Sequence, residues 1–283
     1  MYIHVDDQSS LDRERLTGLG AIVIPLAESY RTRWGSYALV RATLKLLACA
    51  TREKYDRYVL ISGGDLPLHC KSVLKERLAA REIVMSCWHE LSASKISASR
   101  QLRNDVFKRH YLDFSLLNPR TDPFGHWWLD KCWRQVVKGM NTLVAGIPIP
   151  ARLETHGTYY RGPQFWALSH DVVQFLFGEI GRNPEKYHQR FRLMYAPDEV
   201  IFQTLLMHSS YREQIKWVQR KNDTCHGIQF INYHRSGAYL CRDDIPELSA
   251  SSALFARKVD PKKNPDVISH FFDKIDSSGL PKV

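Results

Sequence analysis

The 283-residue sequence predicts an α/β fold in which helices flank a mainly parallel central sheet. Strand-like and helix-like segments alternate along the first half of the chain, which is the order that a parallel sheet requires. Hydrophobic residues make up 44% of the chain, enough for a sizeable core. No repeat or linker divides the sequence, so we predict one domain over residues 1–260, followed by a helix and tail over 261–283.

Short apolar runs that end at turn residues predict the strands. The run at 21–25 ends on proline, and Gly63 and Gly64 break the run at 57–62. Ligands of parallel sheets bind beyond the carboxyl ends of the strands. The predicted strands cover residues 2–5, 21–25, 57–62, 82–88 and 165–168.

Apolar residues at helical spacing predict the helices. Ser169 precedes an apolar run as an N-cap. One stripe of the helix predicted at 36–51 is formed by Leu39, Ala42, Thr43, Leu46 and Leu47. Pro197, followed by two carboxylates, marks a further helix start. The predicted helices cover residues 36–51, 71–80, 172–180, the segment after Pro197, and 267–275.

The formal net charge is +10 at pH 7. This excess favours anionic partners, namely nucleic acid, phosphate-bearing small molecules or an acidic membrane surface, without choosing among them. The first residues lack the apolar core of a signal peptide, and no apolar stretch reaches the length of a membrane span. We therefore expect a protein that is cytoplasmic or attached peripherally to a membrane.

The segment 89–121 is irregular and basic, with aromatic residues among its cations. A long loop of this kind favours a role in binding or covering a substrate. Nucleic-acid binding is the alternative, but the RNP, KH and zinc-finger patterns that would support it are absent.

Carboxylates occur where ligands of a parallel sheet bind. Asp6 and Asp65 each follow a predicted strand, although both residues equally suit turn formation. Glu199 follows Pro197 and Asp198 at a helix start. It either offsets the helix dipole or acts as a general base, and the dipole favours the ionised form that a base needs.

Two adjacent cations, Arg257 and Lys258, follow an apolar pair. They form either a surface patch or a diphosphate-binding site, with lysine as a point charge and arginine as a fork. Arg235 is a further cation of this type.

Six short motifs occur in a fixed order. They are Y-I-H-V-D at 2–6, R-W-G-S at 33–36, L-I-S-G-G-D-L-P-L at 60–68, G-P-Q-F-W-A-L-S at 162–169, A-P-D-E at 196–199 and F-A-R-K at 255–258. In this order they resemble glycosyltransferase family 14, the core-2/I-branching β-1,6-N-acetylglucosaminyltransferases, which also contains the peptide O-xylosyltransferases. The similarity extends to Asp260.

The resemblance implies a GT-A-like fold. The family's first strand, which precedes the I-H-V-D strand, has no counterpart in this sequence, so we expect the uracil side of the site to lack it. Most GT-A enzymes hold a metal ion with an Asp-x-Asp motif, and no two aspartates here are two residues apart. We therefore predict no metal and no other cofactor, with the UDP-sugar as a co-substrate.

The resemblance also implies the roles of individual residues. Glu199 aligns with the catalytic base, and Arg235 and Lys258 align with two cations that replace a metal against the donor diphosphate. Asp6 matches a nucleotide-side residue, while Trp34 and Asp65 lie in motifs that line the donor side.

The predicted function is transfer of a sugar, expected to be N-acetylglucosamine, from a UDP-sugar to a hydroxyl of a glycan or glycoconjugate, with inversion and without a metal. A UDP-xylose-dependent xylosyltransferase of the same family is one alternative. A non-catalytic protein that binds nucleic acid or a nucleotide is the other. We expect no nucleic-acid partner if the enzyme prediction holds.

Overall fold

The computed structural model describes residues 1–91, 125–146, 157–192, 194–220, 222–233 and 239–276. The chain forms two compact units. Unit 1 holds the described residues of Met1–Arg52, Glu90–Tyr159 and Phe177–Thr204, and unit 2 those of Glu53–His89, Tyr160–Leu176 and Leu205–Val283. Most of the basic segment predicted at 89–121 lies outside the described residues.

The described chain is mixed α/β, with about 45% helix. Its α-helices are α1 (Arg13–Gly18), α2 (Tyr37–Ala50), α3 (Lys71–Ala79), α4 (Trp127–Gly146), α5 (His170–Arg182), α6 (Pro184–Phe191), α7 (Ile201–Met207), α8 (Ile245–Ala250) and α9 (Pro265–Asp276). No helix among the described residues is both long enough and apolar enough to cross a membrane.

The strands are short. They are β1 (Tyr2–Ile3), β2 (Ile22–Val23), β3 (Arg57–Val59), β4 (Asp65–Pro67), β5 (Ile83–Val84), β6 (Ser86–Cys87), β7 (His89–Leu91), β8 (Tyr159–Arg161), β9 (Ala167–Ser169), β10 (Lys216–Trp217), β11 (Cys225–His226), β12 (Gln229–Ile231) and β13 (Phe255–Arg257). Each predicted strand overlaps at least one of them, and β9 extends one residue beyond the strand predicted at 165–168.

The strand pairings differ from the predicted parallel sheet. Pairs β1–β2, β6–β10 and β12–β13 are parallel, whereas β3–β9, β5–β9, β4–β13 and β11–β12 are antiparallel. The prediction of a mainly parallel sheet therefore does not hold for these strands. The reason is that β9, from later in the chain, lies between β3 and β5 and runs antiparallel to both.

Unit 2 has a core built from strands and from the C-terminal helix. Val267 and Phe271 of α9 are fully buried and belong to the same hydrophobic cluster as Phe230 of β12 and Leu66 of β4. The helix predicted at 267–275 is thus present, and it belongs to the core of unit 2. The predicted division of the chain after residue 260 stays a prediction.

Unit 1 contains the N-terminal strand pair and α2. The buried side of α2 carries Val40, Ala42, Thr43 and Leu47, close to the predicted stripe. Arg13 joins the ends of the two strands, since its guanidinium donates to the carbonyl oxygens of Val5 and Ile24, both at 2.8 Å.

Candidate functional site

The A-P-D-E motif forms a tight turn in unit 1. Ala196 adopts the left-handed conformation, with φ 51° and ψ 56°, and residues Pro197–Glu199 form one turn of 3₁₀-helix before α7. A residue that precedes proline is kept out of the right-handed helical region, so the chain enters this turn from outside the helix. The predicted helix start at Pro197 is confirmed, although its first turn is 3₁₀.

The two carboxylates of this turn have different environments. Asp198 is buried, with 4% of its surface exposed, whereas Glu199 is only half-buried. The Glu199 backbone N–H donates to the carbonyl oxygen of Ala196 at 3.1 Å, which fixes the backbone that carries the side chain. Glu199 is therefore the carboxylate of the pair that solvent or a ligand can reach.

The R-W-G-S motif contacts the same turn. The Ala196 N–H donates to the carbonyl oxygen of Gly35 at 2.8 Å. The ring of Trp34 meets the ring of Tyr195 edge to face, with centroids 5.1 Å apart, and 46% of Trp34 is exposed. The structure thus places Trp34 beside the turn that carries Glu199.

Asp6 also lies in unit 1, at the end of the first strand pair. Its carboxylate accepts from the backbone N–H of Thr32 at 2.5 Å, from the Thr32 hydroxyl at 2.6 Å and from the N–H of Gln8 at 2.9 Å. Burial raises the pKa of Asp6, but these hydrogen bonds outweigh it, so the pKa lies below its ordinary value. Asp6 therefore stabilises a turn, the role that its sequence context favours as the alternative to ligand binding. Its contact with a nucleotide stays a prediction.

Asp65 lies in unit 2, where its side chain has no exposed surface. Its carboxylate accepts from the N–H of Ser62 at 2.5 Å, from Nε2 of Gln229 at 2.7 Å and from Nη1 of Arg257 at 3.1 Å. Burial raises the pKa of Asp65 against the opposing effects of Arg257 and Ser62. These bonds give Asp65 a structural role, and its predicted place on the donor side remains untested.

Arg257 and Lys258 have different partners although they are adjacent. The Arg257 guanidinium binds Asp65 and Ser62, and it lies 4.6 Å from the ring centroid of Phe165. The Arg257 guanidinium therefore already has a carboxylate, a hydroxyl and an aromatic ring as partners inside unit 2. Lys258 is exposed and forms no ion pair with a described carboxylate of its own unit.

The side chain of Lys258 lies across Gly64 of the S-G-G-D motif. A Cβ at position 64 would lie 3.3 Å from Lys258 Cγ, and the Val259 N–H donates to the Gly64 carbonyl oxygen at 3.0 Å. The absence of a side chain at Gly64 thus leaves room for the stem of Lys258. Of the predicted site residues, Asp6, Trp34 and Glu199 lie in unit 1, and Asp65 and Lys258 lie in unit 2. Arg235 lies outside the described residues.

The sequence matches no protein-family model and no curated protein. Membership of glycosyltransferase family 14 therefore stays a prediction that rests on the motifs. Among the described residues, no three His, Cys, Asp or Glu side chains converge as metal ligands would. The predicted metal independence also stays a prediction.

Sequence reasoning missed two residues that contact Lys258 or its surroundings. These residues are Tyr239 and Lys263 in unit 2. The Nζ atoms of Lys258 and Lys263 both lie close to the Tyr239 ring. The nearest signal in the sequence is the lysine pair at 262–263, which begins four residues after the F-A-R-K motif ends. Nothing in the local pattern indicates the contact with Tyr239.

Proposed function

We propose that this protein is an inverting glycosyltransferase that uses a UDP-sugar donor and no metal ion. The observation that carries the proposal is the half-buried Glu199 on a backbone-fixed turn beside the exposed ring of Trp34. The motif resemblance supplies the donor class, the GT-A-like arrangement and N-acetylglucosamine as the expected sugar. The acceptor is a hydroxyl of a glycan or glycoconjugate.

Glu199 is the proposed general base. Its carboxylate removes the proton from the acceptor hydroxyl as the oxygen attacks the anomeric carbon on the face opposite the nucleotide. The bond between the anomeric carbon and the β-phosphate oxygen breaks, and its electron pair leaves with UDP. The anomeric configuration is inverted because attack and departure occur on opposite faces.

UDP leaves with developing negative charge, which a cation must stabilise in the absence of a metal. We assign this role to Lys258, which has no carboxylate partner among the described residues of its own unit, together with Arg235. Ammonium and guanidinium groups aimed at a phosphate act by electrostatic stabilisation. By analogy with the loss of one oxyanion-hole donor, loss of Lys258 costs about 10²–10³ in rate.

Replacement of Glu199 by Gln tests the base. The amide keeps the size of the side chain but cannot accept the proton, so we expect Glu199→Gln to abolish transfer while UDP binding survives. Product formation from UDP-N-acetylglucosamine and from UDP-xylose is measured beside calorimetric titration with UDP. Glu213→Gln, the same change at an exposed position of unit 2, serves as the matched control.

Three outcomes separate the functions. Normal transfer by Glu199→Gln contradicts the base assignment. Turnover with UDP-xylose alone favours the xylosyltransferase. Binding of DNA or RNA that falls steeply with salt, without UDP binding, favours a nucleic-acid-binding protein over the enzyme.

A further inference from the structure

The ring of Tyr239 lies close to two lysine ammonium groups in unit 2. Lys263 Nζ lies 4.0 Å from the ring centroid and Lys258 Nζ lies 5.2 Å from it. A hydrogen bond from Lys263 and the positive charge of Lys258 hold the pKa of the Tyr239 phenol below its ordinary value. We call Tyr239, Lys258 and Lys263 the tyrosine–lysine cluster.

The cluster carries more positive charge than its surroundings neutralise. Lys263 has one carboxylate neighbour, Asp260, at 3.9 Å. Lys258 forms no ion pair with a described carboxylate of its unit. Two ammonium groups that share one aromatic ring repel each other, although the ring electrons attract both. An anion bound between them removes this repulsion.

Backbone hydrogen bonds hold the segments that carry the cluster. The Leu240 N–H donates to the carbonyl oxygen of Lys258 at 3.1 Å, and Asn264 Nδ2 donates to the carbonyl oxygen of Leu240. Asn264 Oδ1 in turn accepts from the Asp260 N–H at 2.8 Å. Because Tyr239 precedes Leu240, and the lysines lie on the segment bonded to it, the backbone that carries all three side chains is held in place before a ligand binds.

We propose that Tyr239, Lys258 and Lys263 form one subsite for the diphosphate of a nucleoside diphosphate. The two ammonium groups donate to phosphate oxygens as point charges, and the Tyr239 hydroxyl donates a third hydrogen bond. The identity of the nucleotide rests on the proposed function, which assigns Lys258 to the donor diphosphate. The assignment of Lys263 and Tyr239 rests on the geometry of the cluster.

Calorimetric titration with UDP, inorganic pyrophosphate and uridine at one fixed salt concentration tests the subsite. We expect Lys263→Ala to weaken UDP and pyrophosphate about tenfold, the loss of one charge-assisted hydrogen bond. Lys262→Ala is the matched control, since it removes the same charge from the adjacent exposed residue. We expect it to change affinity less than about twofold.

Tyr239→Phe separates the hydroxyl from the ring. It keeps the ring beside both lysines and removes only the O–H donor, so we expect a loss of about three- to tenfold for UDP and pyrophosphate. Uridine lacks phosphate, so its binding should be the same in every variant. Circular dichroism confirms that the variants are folded.

The possible results distinguish this inference from the proposed function. Equal weakening by Lys263→Ala and Lys262→Ala reflects net charge alone and overturns the subsite. If Lys258→Ala weakens UDP binding while Lys263→Ala and Tyr239→Phe leave it unchanged, the subsite is overturned and the proposed function is supported. Pyrophosphate binding that depends on Lys263 and Tyr239 without UDP binding supports the subsite and contradicts the proposed function. Binding of neither anion overturns both.

Discussion

At the scale of single residues, the carboxylate of Asp6 shows how one side chain combines a turn with a long-range contact. Gln8 is two residues away, whereas Thr32 lies 26 residues further along the chain. The Thr32 bonds tie the end of the first strand to the segment before the R-W-G-S motif. Ionised Asp6 therefore stabilises unit 1 in addition to any contact it makes with a ligand.

Asp6→Asn should lower the free energy of unfolding at neutral pH by about 1 kcal/mol, because an amide replaces one accepting oxygen with a donor. The folded-state pKa of Asp6 lies below its ordinary value of 3.8. The stabilisation is therefore fully present above pH 3.8 and is lost as pH falls through the folded-state pKa.

Urea unfolding of wild type and variant between pH 7 and pH 3 checks this prediction. The difference between them should be largest at pH 7 and shrink in acid. Asp7→Asn, at an exposed neighbour, provides the control and should match wild type throughout. A difference that grows as pH falls would contradict the assigned role of Asp6.

At the scale of elements, the turn that carries Glu199 depends on a second turn, at Gly35. Gly35 has φ 76°, a conformation that L-residues with a side chain adopt only at a cost. A Cβ at this position would lie 3.3 Å from Tyr195 Cε2. Glycine thus permits both the backbone bond to Ala196 and the close approach of Tyr195.

Gly35→Ala should destabilise the protein by about 1–2 kcal/mol, because it combines left-handed backbone strain with a tight contact. Thermal unfolding measures the change, expected as a fall of a few degrees in Tm. Gly18→Ala is the control. Gly18 ends α1 without positive φ, and a Cβ there meets nothing within 4 Å, so the variant should be neutral or slightly more stable. Equal effects of the two changes would refute this account of the turn.

At the scale of the whole molecule, the six cysteines are free thiols, but they differ in burial. Cys87 on β6 has no exposed surface, and burial raises its pKa to about 12. Cys132 on α4 is exposed. Because the thiolate is the reactive form, the core and the surface of the molecule should react at very different rates.

A thiol reagent such as DTNB should label Cys132 within the first phase under native conditions and label Cys87 only on unfolding. Peptide mass spectrometry of the labelled protein identifies each site. Cys132→Ser should remove part of the fast phase and leave the labelling of Cys87 unchanged. Rapid native labelling of Cys87 would show that β6 is not in a closed core.

The sequence by itself determined the local structure, because the signals involved lie within a few residues of one another. The apolar stripe predicted α2, Ser169 accepts from the Val172 N–H at 3.4 Å as an N-cap does, and Pro197 starts its turn. The α/β class and the C-terminal helix follow from the same local patterns.

Only the tertiary structure decided the direction of strand pairing and the partners of the charged groups. The pairing of β9 with β3 and β5 and the contact of Arg257 with Asp65, 192 residues apart, join distant segments. Adjacent cations look alike in sequence, yet Arg257 contacts a buried carboxylate and Lys258 contacts the half-buried ring of Tyr239. Local spacing cannot encode such contacts, because they depend on which segments the folded chain brings together.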